Sequence, residues 1–425
     1  MVHQNRTLIV KEREMGNYNG NRKKNYRKNF LFFFLALLFF GCFYPSYYNQ
    51  FWFGISGAIV SLVLALIWLM FILMMKDIRH IKLPLREFTL LLFLAFLYQC
   101  FRLIFYGENK AFSEIFEIFV IWLGIFFTMN SFKTETFMKY FYGWHILMFL
   151  SIVIGIILFA MGIYFLLDVE EIKGHSSRIM INYGFFFSKS SLSWFKEGDF
   201  IRPAGWYDEP GSLAYVVMFL LIYNKLKLKS VKLEYILLFG GMLTLSLAHI
   251  ITSIVYVLFF KLNNRQTLLG LSFFFLVFLG GYFWEPTDGF GVYVKRAVYG
   301  RFEKVIEGDD ASRDYSASLI AFRENIWSGG EYDELRTKYP DATAETLYFV
   351  LAQHGVIGII FYLFPILYLF YFLTNRKELT VTQLKLLFIL LLNFGQRPFI
   401  YYPIFFLMIY FIWFDIEPKK NKCLA

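Results

Sequence analysis

Four short stretches of the 425-residue chain carry residue types suited to work on phosphate and on hydroxyl groups. The first is Arg202-Pro203-Ala204-Gly205-Trp206-Tyr207-Asp208-Glu209-Pro210-Gly211, directly before an apolar run. Pro210 suits a first helical position and Glu209 suits the positive N-terminal end of a helix. Arg202 stands seven residues before Glu209, on a stretch stiffened by proline and bent by glycine. An arginine fork beside a helix N-terminus is a good place for phosphate. Glu209 reads equally as a helix cap, and the two roles do not exclude each other. The second stretch holds Thr244, Ser246 and His249, polar residues in an otherwise apolar run. The third is Ser312-Arg313-Asp314-Tyr315. An amphipathic segment, Ser316–Ile326, follows it and carries Arg323, with Leu319, Ile320, Phe322 and Ile326 expected on one helical side. Trp327-Ser328-Gly329-Gly330 then breaks that segment. In the fourth, Asp341-Ala342-Thr343-Ala344-Glu345-Thr346 enters a long apolar run, with Glu345 in its first turn, where a cap is again the plain alternative. His354 lies nine residues past Glu345, half a turn out of phase, so the two do not share a face. His354 reads first as a buried polar residue, and it stays a candidate substrate contact.

Other chemistries leave no trace. There is no glycine-rich loop ending in Gly-Lys-Ser/Thr, no His-Glu-x-x-His and no nucleophile elbow. Cys42, Cys100 and Cys423 make no metal-ligand spacing and read as three reduced thiols. Asp309-Asp310 is the one pair of adjacent aspartates in the chain and could hold a cation, but adjacent acids in a loop are usually solvated. Neither a metal nor a cofactor is expected.

The elements that must position these residues are membrane helices. Apolar residues make up 58% of the chain and charged residues only 17%, with 55 phenylalanines, and a soluble domain needs far more polar surface. Apolar runs fall near 30–44, 51–75, 88–106, 111–130, 140–167, 210–224, 233–260, 267–284, 346–373, 383–395 and 399–414. Spanning takes about 20 residues. A basic arm over 1–29 precedes the first run, which reads as an uncleaved helix rather than a signal peptide. The net charge of +10 first points to nucleic acid, but its placement removes that need. Lys76, Arg79, Lys82 and Arg86, then Lys133 and Lys139, then Lys225 to Lys232, Lys261, Arg265, Arg376, Lys377, Lys385 and the tail at 417–425 mark connectors expected on the cytoplasmic side.

Lys232 and Lys261 then share a side, although one apolar run joins them. That run crosses twice as two short helices, or enters and returns, with its tip near Thr244, Ser246 and His249. The expected fold is therefore an all-α polytopic membrane protein of about twelve transmembrane helices. It forms one membrane domain over 30–416, with both termini cytoplasmic. Two long segments, about 168–208 and 285–345, fall outside. The second holds eight basic residues against thirteen acidic ones, so it offers no general polyanion surface. Long structureless loops are uncommon unless they serve a function.

In order, these residues resemble the O-antigen polymerase (Wzy) family, which is related to the O-antigen ligases. Arg202-x-x-Gly205-x-x-x-Glu209-Pro210 is similar to the Arg/Gly/Pro motif after the family's first large periplasmic loop. Leu243-Thr244-Leu245-Ser246 resembles its Thr-x-Ser hairpin stretch. Ser312-Arg313 with Trp327-Ser328-Gly329-Gly330 resembles its second large loop, and Glu345-Thr346 with Gly355-Val356-Ile357-Gly358 its following helix entry. The likeness covers roughly residues 200–360. Family members often carry His-Asn where this chain has Ala344-Glu345, which favours polymerase over ligase. They often carry Arg after the Ser, where this chain has Leu247.

The resemblance implies a GT-C-like glycosyltransferase of a bacterial inner membrane. It would move a growing glycan from undecaprenyl diphosphate onto a sugar hydroxyl of another lipid-linked repeat unit, for O-antigen (lipopolysaccharide) or capsule. The implied substrate is the undecaprenyl-diphosphate-linked oligosaccharide, reached from membrane lipid. A chain-length regulator protein is a candidate partner. Glu345 is the implied base and Glu209 the alternative. Arg202, Arg313, Arg323, Ser246, His249 and His354 are the implied diphosphate or substrate contacts. The alternatives are an O-antigen ligase and a polysaccharide transporter or flippase. A transporter would use Arg102, Glu114, Glu117 and His145 instead, although Arg102 and the two glutamates can simply pair across Tyr106–Lys110.

Overall fold

The computed structural model describes residues 26–41, 57–75, 80–84, 86–107, 109–131, 133–161, 163, 166–167, 180–182, 189–191, 203–207, 210–244, 246–261, 265, 269, 272, 276, 279–281, 283–285, 295, 315–340, 347–375, 380–396 and 403–414. The basic arm up to 25 and the tail at 417–425 lie outside these residues.

Helices carry the architecture. They are α1 (26–41), α2 (Gly57–Met75), α3 (Arg86–Tyr106), α4 (Asn109–Ser131), α5 (Thr134–Ala160), α6 (Pro210–Tyr223), α7 (Val231–Met242) and α8 (Leu247–Phe260). After these come α9 (Tyr315–Glu324), α10 (Tyr332–Lys338), α11 (Leu347–Asn375), α12 (Val381–Gln396) and α13 (Pro403–Ile409). Among the described residues, four stretches are long and apolar enough to cross a membrane: Arg86–Ile104, Glu114–Ser131, Thr134–Leu158 and Pro210–Leu228. The last includes a wider-wound extension of α6 over Asn224–Leu228. α6 is apolar all round, and every residue from Ser212 to Asn224 is buried, as a central helix requires. By contrast, α2 exposes Ile59, Leu62, Val63, Leu66, Met70 and Met74, an apolar face suited to lipid. One addition to the helical plan is a small antiparallel sheet of β1 (Leu166–Leu167), at the end of the preceding apolar run, with β2 (Met180–Asn182) and β3 (Lys189–Ser191) of the first long segment, in that order.

The lysine-bearing helix ends gather at one end of the bundle. Asn130, near the end of α4, holds the backbone of Lys82 through two hydrogen bonds of 2.8 and 2.9 Å. Tyr142 near the start of α5 donates to Leu220 O at 2.5 Å, close to where α6 runs into Lys225 and Lys227. Phe137 packs on Phe33 of α1 and on Phe411 just past α13. Lys385 of α12 caps Phe259 O of α8 at 3.0 Å.

The run between Lys232 and Lys261 folds as two short helices, α7 and α8, of 12 and 14 residues. They are about 18 and 21 Å long, short of a hydrocarbon core about 30 Å thick. Glu234 near the start of α7 holds Lys261 just past the end of α8 at 2.7 Å, so the hairpin returns to the end it left. This is the return that the lysine pattern demands.

One face assignment needs correction. The buried side of α9 is Ser318 and Ala321, with Ala317 and Phe322 half-buried, whereas Ile320 and Ile326 are exposed. α9 meets Phe349 and Ala352 of α11 in a small core with Leu335 of α10. Small residues allow that close approach, Phe322 packs at its edge, and Ile320 and Ile326 are exposed, as is Trp327 at 70%.

Candidate functional site

The segment before α6 is not a surface loop. Pro203, Ala204, Gly205, Trp206 and Tyr207 are all buried. A turn closes from Tyr207 N to Ala204 O at 3.1 Å. Trp206 packs edge-on against Trp144 of α5, with ring centroids 5.4 Å apart. His145 Nδ1 faces the Phe141 carbonyl at 2.8 Å, and its Nε2 faces Tyr207 Oη at 2.9 Å. A carbonyl only accepts, so Nδ1 carries the proton and Tyr207 donates to Nε2. His145 lies about 17 Å along α5 from Thr134. The segment therefore dips deep between the helices, where irregular backbone persists only when protein encloses it.

The hairpin tip meets the start of the same helix. Thr244 Oγ1 donates to Gly241 O at 2.7 Å and accepts from Ser246 N at 3.2 Å, which closes the turn. The His249 ring lies against Gly241, where an added Cβ would come within 2.1 Å of Nε2. That nitrogen faces Leu238 O at 3.3 Å, and the ring also neighbours the carbonyl of Ala214 in α6. Segment 203–207, the start of α6 and the polar tip with Ser246 and His249 thus form one buried floor.

The second long segment is bolted to α11. Gly355 interrupts that helix with φ 63° and ψ 178°. The interrupted backbone finds partners in the turn after α9. Val356 N donates to Ile326 O at 2.7 Å, Ile357 N to Trp327 O at 3.3 Å, and Gly330 N to Ala352 O at 3.0 Å. A Cβ on Gly355 would sit 2.4 Å from Trp327 O, and one on Gly329 2.2 Å from Gln353 O, so both positions require glycine. Since Ala321 packs on Phe349 and Trp327 reaches Ile357, α9 and α11 run in the same direction and begin at the same end. α10 is tied back by Glu324, which accepts from Lys338 Nζ at 2.7 Å and from Tyr339 Oη. These donors hold the Glu324 carboxyl below the usual carboxylate range and raise the Lys338 ammonium above its own.

His354 links this unit to α3. Its Nδ1 lies 3.0 Å from Tyr98 Oη, and Tyr98 stacks on Phe361. One turn further along α3, Arg102 is buried, with Cζ 6.0 Å from the Tyr98 ring centroid. Arg102 Nη1 stands 3.9 Å from Glu114 Oε2 of α4, the pairing anticipated across Tyr106–Lys110. Gln99, on the same helical face, is fully buried, and neither of its amide atoms makes a hydrogen bond among the described residues.

The structure therefore brings Ser246 and His249 together at the floor and places His354 at the joint between α3 and α11. Arg323 stands exposed near the end of α9. Arg202, Glu209, Arg313, Glu345 and the Asp309-Asp310 pair lie outside the described residues. His145, one of the residues a transporter would use, is separate from Arg102 and Glu114 and serves to hold segment 203–207. Sequence reasoning passed over Gln99 and Tyr98. The signal was present: Phe88, Leu91, Leu92, Ala95, Gln99 and Arg102 form one buried stripe whose far end turns polar. No family model, curated protein or solved structure matches the chain.

Proposed function

We propose that the protein is a polymerase of undecaprenyl-diphosphate-linked oligosaccharide repeat units, a GT-C-like glycosyltransferase working at the outer face of a bacterial inner membrane. In this reading the chain crosses about twelve times, with the hairpin of α7 and α8 counted as two, and both termini are cytoplasmic. The observation that carries the proposal is the convergence of segment 203–207, the start of α6 and the polar hairpin tip. These pieces come from separate parts of the chain, and they meet at the end of α6 away from the lysines. Arg202 and Glu209 flank that floor in sequence. Arg313 stands two residues before α9 and Glu345 two residues before α11, two helices that begin at the same end.

The chemistry follows from those residue types. The bond from the anomeric carbon to the diphosphate oxygen breaks, and undecaprenyl diphosphate leaves. Arg202 and Arg313 stabilise the charge that develops on it, since the guanidinium fork gives two directed bonds to phosphate oxygens. The acceptor hydroxyl forms the new glycosidic bond, and its proton passes to Glu345, with Glu209 orienting sugar or capping α6. Arg323, Ser246, His249 and His354 supply further contacts to substrate. The exposed apolar faces of the helices let the lipid tail approach from the bilayer.

The test is purified protein mixed with a lipid-linked repeat unit. Products lengthened by whole repeats support the reading. Transfer only onto a lipid core supports the ligase instead, and unit crossing a vesicle without lengthening supports a flippase.

A further inference from the structure

We propose that the lysine end holds a site for one acidic phospholipid, whose phosphodiester lies among Lys225, Lys261 and Lys385 around the last turn of α8. Such a site does not depend on the glycan-transfer reading. Lysines at the ends of apolar membrane helices stand at headgroup level. These three are also held in place. Lys261 Nζ is 2.7 Å from Glu234 Oε2, and Lys225 Nζ is 3.5 Å from Glu234 Oε1. Lys385 Nζ donates to the Phe259 carbonyl at 3.0 Å. Lys225 and Lys385 share the Phe260 ring, with Nζ atoms 4.8 and 5.9 Å from its centroid. All three side chains are partly buried, so little freedom is left to lose when an anion binds.

The charge here is unbalanced among the described residues. Glu234 is the one acid in α6 with its extension, α7, α8 and α12. Its Oε1 also accepts from Tyr256 Oη at 2.7 Å, so both carboxylate oxygens are engaged. The carbonyl end of α8 offsets about half an elementary charge more. More than one positive charge remains, and each ammonium has three donors. A phosphodiester brings one negative charge and the acceptors to meet them.

The apolar surroundings decide between a soluble phosphate and a lipid. On α7, Val231, Tyr235 and Phe239 form one exposed line, with the rings of Tyr235 and Phe239 stacked. Lys261 Nζ stands 5.2 Å from the Tyr235 ring centroid, which joins that line to the cluster. On α12, Leu384, Phe388 and Leu391 are exposed, and Phe388 packs on Phe259. Both helices start at the lysine end and lead away from it. Acyl chains therefore lie along these lines while the phosphate meets the lysines.

The experiment titrates the full chain in detergent with dioleoylphosphatidylglycerol and, separately, with dioleoylphosphatidylcholine, and counts bound lipid by native mass spectrometry. Wild type should prefer the acidic lipid. Lys385→Gln and Lys225→Gln should each cut that preference about fivefold, whereas Lys385→Arg should keep it. Lys225→Gln leaves Glu234 with Lys261 and Tyr256, so it tests the site even if the loss of the Lys385 bond to α8 loosens the fold. Lys82→Gln, exposed at the same end before α3, should leave the preference nearly unchanged. Equal affinity of wild type for the two lipids overturns the site. So does an equal loss in Lys82→Gln, which would mean a diffuse surface field. Displacement of the acidic lipid by an equal concentration of glycerol 3-phosphate also overturns it, and makes the cluster a site for soluble phosphate.

Discussion

Two buried glutamates stand at opposite ends of the helix bundle, and they are held differently. Glu234, at the lysine end, meets Lys261 at 2.7 Å and Lys225 at 3.5 Å and accepts from Tyr256 Oη at 2.7 Å. Lys261 and Lys225 also cover the rings of Tyr235 and Phe260. Each partner comes from a neighbouring part of the hairpin or from the end of α6. Glu114, at the other end, is 3.9 Å from Arg102, near Gln99, whose buried amide makes no hydrogen bond among the described residues. A buried charge that is fully bonded fixes helices to one another. A buried polar group left open costs stability and persists where something else uses it. The contrast separates an end that holds the fold from the end at which the proposed chemistry would take place.

The largest expected effect belongs to the proposed base. Glu345→Gln keeps size and hydrogen bonding but removes basicity, so turnover should fall by about 10²–10⁴ with normal expression. A lost helix cap would instead cost about 0.5–2 kcal/mol of stability and leave turnover intact in folded protein. Purified protein with lipid-linked repeat unit distinguishes the two. Near-normal turnover moves the base to Glu209.

The arginines sharpen the same contrast. Arg202→Lys and Arg313→Lys keep the charge but lose the planar fork, and each should remove most of the activity. Arg336→Lys, on exposed α10, should be tolerated. If both of the first two variants polymerise normally, the diphosphate role assigned to them is wrong.

At the holding end the sign reverses. Glu234→Ala removes one partner of a buried cluster and leaves two partly buried lysines facing each other. Loss of such a partner costs about 3–5 kcal/mol. The unfolding midpoint should drop sharply, while turnover per folded molecule stays near wild type. A variant with normal stability and no activity would erase the distinction between the two ends.

The parts of this fold that were legible in sequence are those governed by long apolar runs and by lysine placement. The return of α7 and α8 followed from Lys232 and Lys261 sharing a side, and Glu234 joins those very ends. The break at Gly355 was not legible, because a single glycine after Gln353-His354 in a long apolar run does not by itself end a helix. Only a partner turn at 326–330, distant in sequence, makes the interruption tolerable. The face of α9 was misread because apolar bulk was taken to mark the buried side. Ser318 and Ala321 are buried for their small size, against Phe349 and Ala352. The burial of segment 203–207 was hidden for a related reason: proline and glycine suggest a surface loop, but Trp206 and Tyr207 fill space beside α5. Gln99 was missed although its spacing from Phe88, Leu92, Ala95 and Arg102 put it on one helical stripe, because nothing in the sequence says that this stripe is the buried one.

The smallest effect tests whether an exposed ion pair at the chemical end behaves like the buried cluster at the other. Glu324 accepts from Lys338 and Tyr339, and this tie closes α10 onto α9. Its carboxyl is held below the ordinary range, first by Lys338 and then by Tyr339. A lowered folded-state value means that the tie contributes fully above the ordinary glutamate value, about 4.3. The contribution is lost as pH falls through the lowered value. Lys338 is raised, chiefly by Glu324, so its share is full below the ordinary lysine value and lost only at high pH. Between those limits the tie is flat with pH. All three groups are near the surface, where solvent and salt screen the attraction. Acidification from pH 7 to pH 3 should therefore speed amide exchange over 332–338 while leaving the global unfolding midpoint of a Glu324→Gln variant near that of wild type at pH 7. A global loss in Glu324→Gln as large as that of Glu234→Ala would show that the second long segment is as much a part of the holding framework as the lysine end.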